Sequence, residues 1–224
     1  MKPAIVVLAA GSGSRFGHEL NKVWLPLEGK TIICRTLSNA HQAFPDAPIL
    51  LVINPDDQEM AQEIVEREIP EIKLEMIYGG STRHGSEYQA LQHLSGAIES
   101  GDVDLVLIHD GARPLATPNL YRKIAEVAAE KGGAIPTTTI NPVEIDIAHD
   151  QTIVRVQTPQ GFRAKELLHA YEMAERDGFT GTDTGACVEK YFPSIKAVAV
   201  EAEVSNLKIT YAQDLKVAQA LLTS

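Results

Sequence analysis

Cysteine is nearly absent: the 224 residues hold two, Cys34 and Cys187, whose separation matches no metal-ligand motif and offers no disulfide framework. That speaks against a thiolate metal site and a stapled secreted scaffold, suits a reducing cytoplasm, and reads both thiols as buried fillers rather than nucleophiles. Basic residues are in deficit, 20 Lys and Arg against 30 Asp and Glu, for a formal net charge of -10. A surface that neutralises nucleic-acid phosphates needs the opposite balance, so no nucleic-acid partner is expected, although a few cations focused in one cleft can still hold a small anion. Long apolar runs are missing too. Stretches such as Leu105 to Ile108 are far too short to span a bilayer, and the apolar run after Met1-Lys2-Pro3 is soon broken by glycine and arginine, so neither a membrane span nor a signal peptide is expected.

What is present is a chain with 44% hydrophobic residues, able to bury a sizeable core and read as one domain over residues 1–224. Short apolar runs alternate with amphipathic segments: strand candidates are Ala4 to Ala9, Ile49 to Asn54, Leu74 to Tyr78, Val103 to His109, Ala134 to Pro136 and Ala197 to Val200. Leu120, Ile124, Val127 and Ala128 share one helical face, and Leu215, Ala218, Leu221 and Leu222 share another, both expected to face the core. The alternation predicts an α/β doubly wound, Rossmann-like fold, a mostly parallel sheet with helices on both faces and ligands at the carboxyl ends of the strands. Residues 137–157 break the pattern. Their alternating β-branched residues around Ala148-His149-Asp150-Gln151 predict a protruding β-hairpin arm, Val143 to Ile147 paired with Thr152 to Val156, which must pack on something, such as a second subunit.

The first strand runs into "LAAGSGSRFG", Leu8 to Gly17. Its glycines are spaced GxGxxxG rather than GxGxxG, without an acidic ribose partner at a following strand end, since Glu28 reads as part of a turn; this weakens a dinucleotide loop. A P-loop would close on Gly-Lys-Ser/Thr, whereas this one has Phe16-Gly17-His18. A glycine loop whose backbone can approach phosphate oxygens remains, with Arg15 inside it and Lys22 beyond, against the plainer alternative of a strand-to-helix turn with two solvated cations.

"LAAGSGSRFG" followed by "NKVWLPLEGKTII" resembles the opening of nucleotide-sugar-type nucleotidyltransferases. "YGGSTRHGS", "IHDGARP", "TPQGF" with "GTDTGA", and "VSNLKITYAQDL" then follow in the order found in 2-C-methyl-D-erythritol 4-phosphate cytidylyltransferases and their relatives, the ribitol-5-phosphate cytidylyltransferases, a resemblance running from Ala4 to Leu215. It implies attack by a polyol phosphate oxygen on the α-phosphorus of CTP, with pyrophosphate leaving. The incoming phosphate is already a nucleophile, so catalysis rests on positioning and charge neutralisation. The resemblance assigns Arg15, Lys22 and Lys208 to catalysis on the triphosphate, and Ala9, Ala10, Gly11, Gly13, Gly79, Gly80, Ser86, Asp110 and Gly111 to the nucleotide. It assigns Arg113, Thr139 and Thr158 to the acceptor, and Asp110 also to Mg²⁺ or another divalent cation. A homodimer joined through the arm and a cytoplasmic location are implied as well.

Plainer readings stand beside these. Asp183 is expected to cap a helix over Thr184 to Tyr191, Ser81 or Ser86 to cap the helix after Gly80, Arg83 to be structural or a base-side contact, and His109 to be structural. Asn21-Lys22-Val23-Trp24 replaces the family's usual proline before the lysine and Gln-Tyr or Gln-Phe after it, and Gly111 stands where alanine is usual. The arm lacks the usual Asp-Thr-x-Lys stretch and its arginine, which leaves the acceptor side open between methylerythritol phosphate, ribitol phosphate and another sugar phosphate. Two rival classes are a catalytically silent nucleotide-binding relative, opposed by retention of Arg15, Lys22, Asp110 and Lys208, and an NAD(P)-dependent oxidoreductase, opposed by the loop spacing.

Overall fold

The computed structural model describes residues 1–11, 21–140 and 154–223. Strand β1 (Pro3–Leu8) leads to a 3-10 turn (Lys22–Trp24) and a small hairpin, β2 (Pro26–Leu27) and β3 (Lys30–Thr31). Glu28 and Gly29 form its two-residue turn, both with positive φ, as a hairpin of that length requires, which settles Glu28 as a turn residue. Next come α1 (Ile32–Ala43), β4 (Ile49–Ile53), a 3-10 turn (Pro55–Asp57), α2 (Gln58–Glu68), β5 (Glu75–Tyr78), α3 (Arg83–Ser100), β6 (Leu105–Asp110) and α4 (Pro118–Lys131). The chain continues through β7 (Gly133–Thr139), β8 (Val154–Val156), β9 (Gln160–Arg163), α5 (Ala164–Asp177), α6 (Thr184–Tyr191), β10 (Val198–Glu201) and α7 (Ala212–Thr223).

The main sheet runs β10-β7-β9-β6-β1-β4-β5, with β8 added to β7. Its central pairs are parallel: β1 lies between β4 (Ile5 opposite Ile49) and β6 (Leu8 opposite Asp110), and β5 follows on β4. All five residues of β4 and all six of β6 are buried, as expected for strands covered on both faces. Alternation sorts their side chains: Ile5, Val7, Leu51 and Leu107 pack with α1, α2 and α4, while Ala4, Val6, Leu50, Val52 and Ile108 pack with α3, α5 and α6. Helix starts are fixed by side-chain caps at Thr31, Thr82, Thr117 and Asp183, and three helices end on a left-handed glycine, Gly101, Gly132 and Gly178.

Three expectations are corrected. Strand β9 was not foreseen; it inserts antiparallel between β6 and β7, with Gly161 pressed so close to Ile124 and Leu107 that a Cβ would approach each at 2.9 Å. The arm's return strand pairs earlier than expected, because Val154 to Val156 lie opposite Thr139 to Thr137 rather than opposite residues from Val143 on. β7 supplies the partner for Val154 to Val156, and the rest of the arm, including Val143 to Ile147, lies outside the described residues. On α7 only Ala218 of the four striped residues is buried, with Leu215 partly buried and Leu221 and Leu222 exposed, because this last helix packs on a small cluster around Leu27, Ile32 and Ile209. Both cysteines are buried and free, and burial pushes their thiols up to about 11 for Cys34 and about 12 for Cys187. Among the described residues no helix is long and apolar enough to cross a membrane.

Candidate active site

A cleft of about 650 Å³ opens at the carboxyl ends of β1, β4, β5 and β6. It is lined by Ala9, Ala10 and Gly11 after β1, Lys22 beside Asn21, Gly80 with Ser81, Thr82, Arg83 and Ser86 at the start of α3, Asp110 at the end of β6, and Lys208 with Thr210. A cavity of similar size, about 610 Å³, lies between β5 and α2, but its only charged lining residues are Glu66 and Lys73. Of the predicted residues, Ala9, Ala10, Gly11, Lys22, Gly80, Ser86, Asp110 and Lys208 line the first cleft, where the sheet's geometry places ligands.

The end of the cleft beside β5 and α3 is built by close backbone approach. Gly79 donates its N–H to Ile53 O at 2.9 Å, and a Cβ there would come within 2.5 Å of the Ala10 Cβ and 2.7 Å of Ser86 Oγ. At Gly80 a Cβ would meet the Gly85 backbone at 2.8 Å. Helix α3 is capped by Thr82, whose hydroxyl accepts from Gly85 N at 2.9 Å, so neither Ser81 nor Ser86 is the cap; Ser86 Oγ instead donates back to Thr82 O at 2.9 Å. Gly79 thus packs behind the cleft, while Gly80 and Ser86 line it.

At the other end Asp110 organises the charge. Its carboxylate pairs with Arg83 through one oxygen and with Lys208 through the other, at 2.8 Å, and Arg113 Nε lies 3.7 Å away. Burial opposes ionisation of Asp110, but Arg83, Lys208 and Arg113 outweigh it and hold the carboxyl far below the ordinary carboxylate range. Arg83 reaches on to Glu87, buried one helical turn later, with 2.9 Å between Nε and Oε1. Glu87 in turn accepts from Tyr171 and, at 3.1 Å, from Thr184. Among the described residues that line the cleft, Lys22, Arg83 and Lys208 stand against the single carboxylate of Asp110, so the lining is positive in a chain whose net charge is -10.

The supports of Lys208 and Asp110 come from distant segments. Ile209 N donates to Ala112 O at 2.9 Å, and buried Asn206 donates its amide to Gln157 Oε1 and Thr158 O at 2.8 and 3.0 Å. Between these anchors Lys208 turns towards Asp110. Arg113 is buried, and its guanidinium donates to Asn206 O at 2.7 Å. Thr158 is buried as well; its hydroxyl accepts from Asp110 N at 3.0 Å and lies 3.1 Å from His109 Nδ1, while His109 Nε2 lies 3.3 Å from Arg113 O. These contacts assign the proton to Nε2, leaving Nδ1 to accept from Thr158. Burial, with Arg113 close by, pushes the imidazole down to about 3, so it is neutral.

Gly111 lies behind Asp110, its N–H donating to Leu8 O at 2.9 Å and its carbonyl accepting from Thr36 at 3.0 Å. Thr139 is exposed at the end of β7, where the arm begins. Arg15, Gly13 and most of the glycine loop lie outside the described residues. Asp183 caps α6, accepting from Ala186 N at 2.8 Å, and that helix covers the expected Thr184 to Tyr191. Sequence reasoning missed Glu87 and Asn206. For Glu87 the signal was available as its spacing from Arg83, which places both on one helical face; nothing local marks Asn206.

The family described as IspD, 2-C-methyl-D-erythritol 4-phosphate cytidylyltransferase, matches residues 4–224. The chain is similar to proteins of that name from Bacillus mycoides, 34% identical with 97% of this chain and 96% of the relative aligned, and from Geobacillus kaustophilus, 34% identical over 98% and 96%. Among solved structures it is similar to 4-diphosphocytidyl-2C-methyl-D-erythritol synthase from Anaerococcus prevotii (27% identity, TM-score 0.81, 100% and 96% coverage). A second is the 2-C-methyl-D-erythritol 4-phosphate cytidylyltransferase from Thermus thermophilus (28% identity, TM-score 0.69, 98% of each chain).

Proposed function

The chain belongs to the 2-C-methyl-D-erythritol 4-phosphate cytidylyltransferase family, and from that premise we propose that its cleft joins CMP from CTP to 2-C-methyl-D-erythritol 4-phosphate, releasing pyrophosphate. The observation that carries the reading is the cleft that brings Lys22, Arg83 and Lys208 together with Asp110, itself flanked by Arg113, at the sheet edge where a nucleotide's phosphates fit.

The acceptor phosphate oxygen attacks the α-phosphorus as the bond to pyrophosphate breaks. Lys22 and Arg15 hold the triphosphate, and Lys208 neutralises charge gathering at the α-phosphate. Ala9, Ala10, Gly11, Gly80 and Ser86 enclose the nucleoside, with Gly79 and Gly111 packed behind them. Arg113 faces the acceptor's phosphate, Thr139 stands at the arm's root towards the acceptor, and Thr158 positions Asp110 rather than offering a free hydroxyl. Lys208 must exchange its bond to Asp110 for one to the nucleotide, which ties its motion to CTP arrival.

A divalent cation would shield the phosphates and favour departure of pyrophosphate. Among the described residues no group of three His, Cys, Asp or Glu is placed to hold a metal, and both oxygens of Asp110 are engaged by cations. The donor set thus fits a cation held mainly by the nucleotide's phosphates, with Asp110 supplying one carboxylate oxygen. A homodimer through the arm and a reducing cytoplasm, in keeping with two free buried thiols, complete the proposal. Pyrophosphate release from CTP, measured with methylerythritol phosphate, ribitol 5-phosphate and other sugar phosphates, tests it. Turnover is expected with the first, preference for another acceptor would reassign the substrate, and no turnover with any would overturn the enzyme reading.

A further inference from the structure

Lys22 opens a three-residue 3-10 turn that too few backbone hydrogen bonds hold by themselves, yet it has to keep its place in the cleft. The structure shows what fixes the turn. Asn21, buried at its N-cap, accepts from Val23 N at 3.4 Å and donates through Nδ2 to Ala9 O, in the cleft wall, at 2.7 Å. The same Nδ2 lies 3.4 Å from Asp57 Oδ2, and Trp24, buried at the far end of the turn, donates its indole N–H to that oxygen at 2.9 Å. Asp57 stands at the N-cap position of α2, where a carboxylate ordinarily accepts from the helix's own first N–H groups, but its side chain makes no capping bond. The group is directed across to both ends of the turn that carries Lys22. It is not among the residues lining the cleft.

We infer that Asp57 is a positioning residue for nucleotide binding: through Trp24 and Asn21 it clamps the Lys22–Trp24 turn against Ala9 and so sets where the Lys22 ammonium meets the triphosphate. The inference rests on the reading of Lys22 as a triphosphate contact. It also makes Trp24, the chain's sole tryptophan, a built-in reporter, because its indole lies one residue from Val23 and two from Lys22 while bonded to the clamp. CTP binding shifts the emission of Trp24 in the wild type.

The test is steady-state kinetics on the full-length enzyme, with CTP and acceptor varied separately, for Asp57→Ala, Asp57→Asn, Trp24→Phe, Lys22→Ala and the Lys22→Ala/Asp57→Ala double variant. Asp57→Ala lowers kcat/KM for CTP about tenfold, the equivalent of about 1.4 kcal/mol, with the acceptor KM unchanged. Asp57→Asn, which keeps an oxygen to accept the indole N–H, recovers most of the loss. Trp24→Phe keeps a packed ring without the N–H and reproduces part of it, and thermal melts identify any variant whose loss reflects misfolding. The double variant is no worse than Lys22→Ala, because the clamp has nothing left to place. Wild-type CTP kinetics in Asp57→Ala beside a damaged Lys22→Ala would overturn this inference alone, as would losses that multiply in the double variant. An undamaged Lys22→Ala would overturn the triphosphate role of Lys22 and this inference with it.

Discussion

Adding one methyl group at Gly111 should strain the protein in a way that a second substitution partly relieves. A Cβ built there lies 2.7 Å from Ile33 Cδ1 and 2.9 Å from Leu8 O. The first neighbour is the end of a side chain and can move; the second is backbone of β1 that also accepts the Gly111 N–H. Overpacking of this kind costs roughly 1–3 kcal/mol. Gly111 is not among the glycines with positive φ, so alanine adopts its backbone and recovers about 0.4–1 kcal/mol through a less flexible unfolded chain. The net expectation for Gly111→Ala is a loss centred on about 1.3 kcal/mol and at most about 2.6, a fall in Tm of roughly 3–5 °C at the centre for a chain of this size. Ile33→Val removes the obstructing Cδ1 and by itself costs about 0.5–1.5 kcal/mol. In the double variant the losses should fall short of their sum by at least about 0.5 kcal/mol, since the cavity made by one change accepts the methyl of the other. Urea unfolding of the wild type and three variants, with the slope checked for constancy, measures this cycle. Strict additivity would refute the claim that Ile33 fills the room of the missing methyl, and an unchanged Gly111→Ala would refute the clash itself.

Three further outcomes follow from the site. Gly79→Ala forces Ala10 and Ser86 apart, so it should raise the CTP KM about tenfold or more and cost about 1–3 kcal/mol of stability; isothermal titration with CTP and a thermal melt check the two effects, and unaltered CTP affinity would dissociate Gly79 from the nucleotide pocket. Lys208→Ala should cut kcat on the order of 10²–10³ while leaving folding nearly intact, because Arg83 still neutralises Asp110; a change confined to KM would place Lys208 in binding alone. His109 is held neutral when folded, its pKa near 3 against about 6.5 when unfolded, so unfolding takes up a proton between those values. Its contribution is fully present above about pH 6.5 and is lost as pH falls, by up to about 1.4 kcal/mol per unit; urea midpoints at pH 7, 6 and 5 should decline less steeply in His109→Asn, and equal slopes would count against the assignment.

The parallel strands were legible because each is an unbroken apolar run between turn residues, and burial on both faces leaves no alternation to confuse the reading. The cap at Asp183 was legible locally, whereas the one at Thr82 shows the limit of local signals: three hydroxyls near Gly80, those of Ser81, Thr82 and Ser86, compete for one helix start, and only backbone geometry selects Thr82. Strand β9 escaped because Gln160-Gly161-Phe162-Arg163 carries neither an apolar run nor a turn boundary, and its glycine is set by α4, far off in sequence. The apolar stripe of α7 has the period of a buried face, but periodicity does not say how much body lies beneath it. In the site, the cations that the motifs singled out were readable one at a time. Their convergence on a single carboxylate was not, since only Arg113 shares a motif with Asp110, while Arg83 and Lys208 reach it from distant stretches of chain.

The antiparallel strand β9 has a consequence for how the enzyme family can vary. In a sheet whose strands all run one way, the catalytic edge receives only segments on their way out. Here β7 leaves at Thr139 and β9 begins at Gln160 on that same edge, so the intervening segment leaves and returns at the edge that carries Asp110. A segment attached in this way can be lengthened, shortened or rewritten without moving the parallel strands. The fold thereby lets the part that the proposed reading assigns to the acceptor be rewritten apart from the strands that it assigns to the triphosphate, and this chain's altered arm sequence is the sort of rewriting such a partition permits.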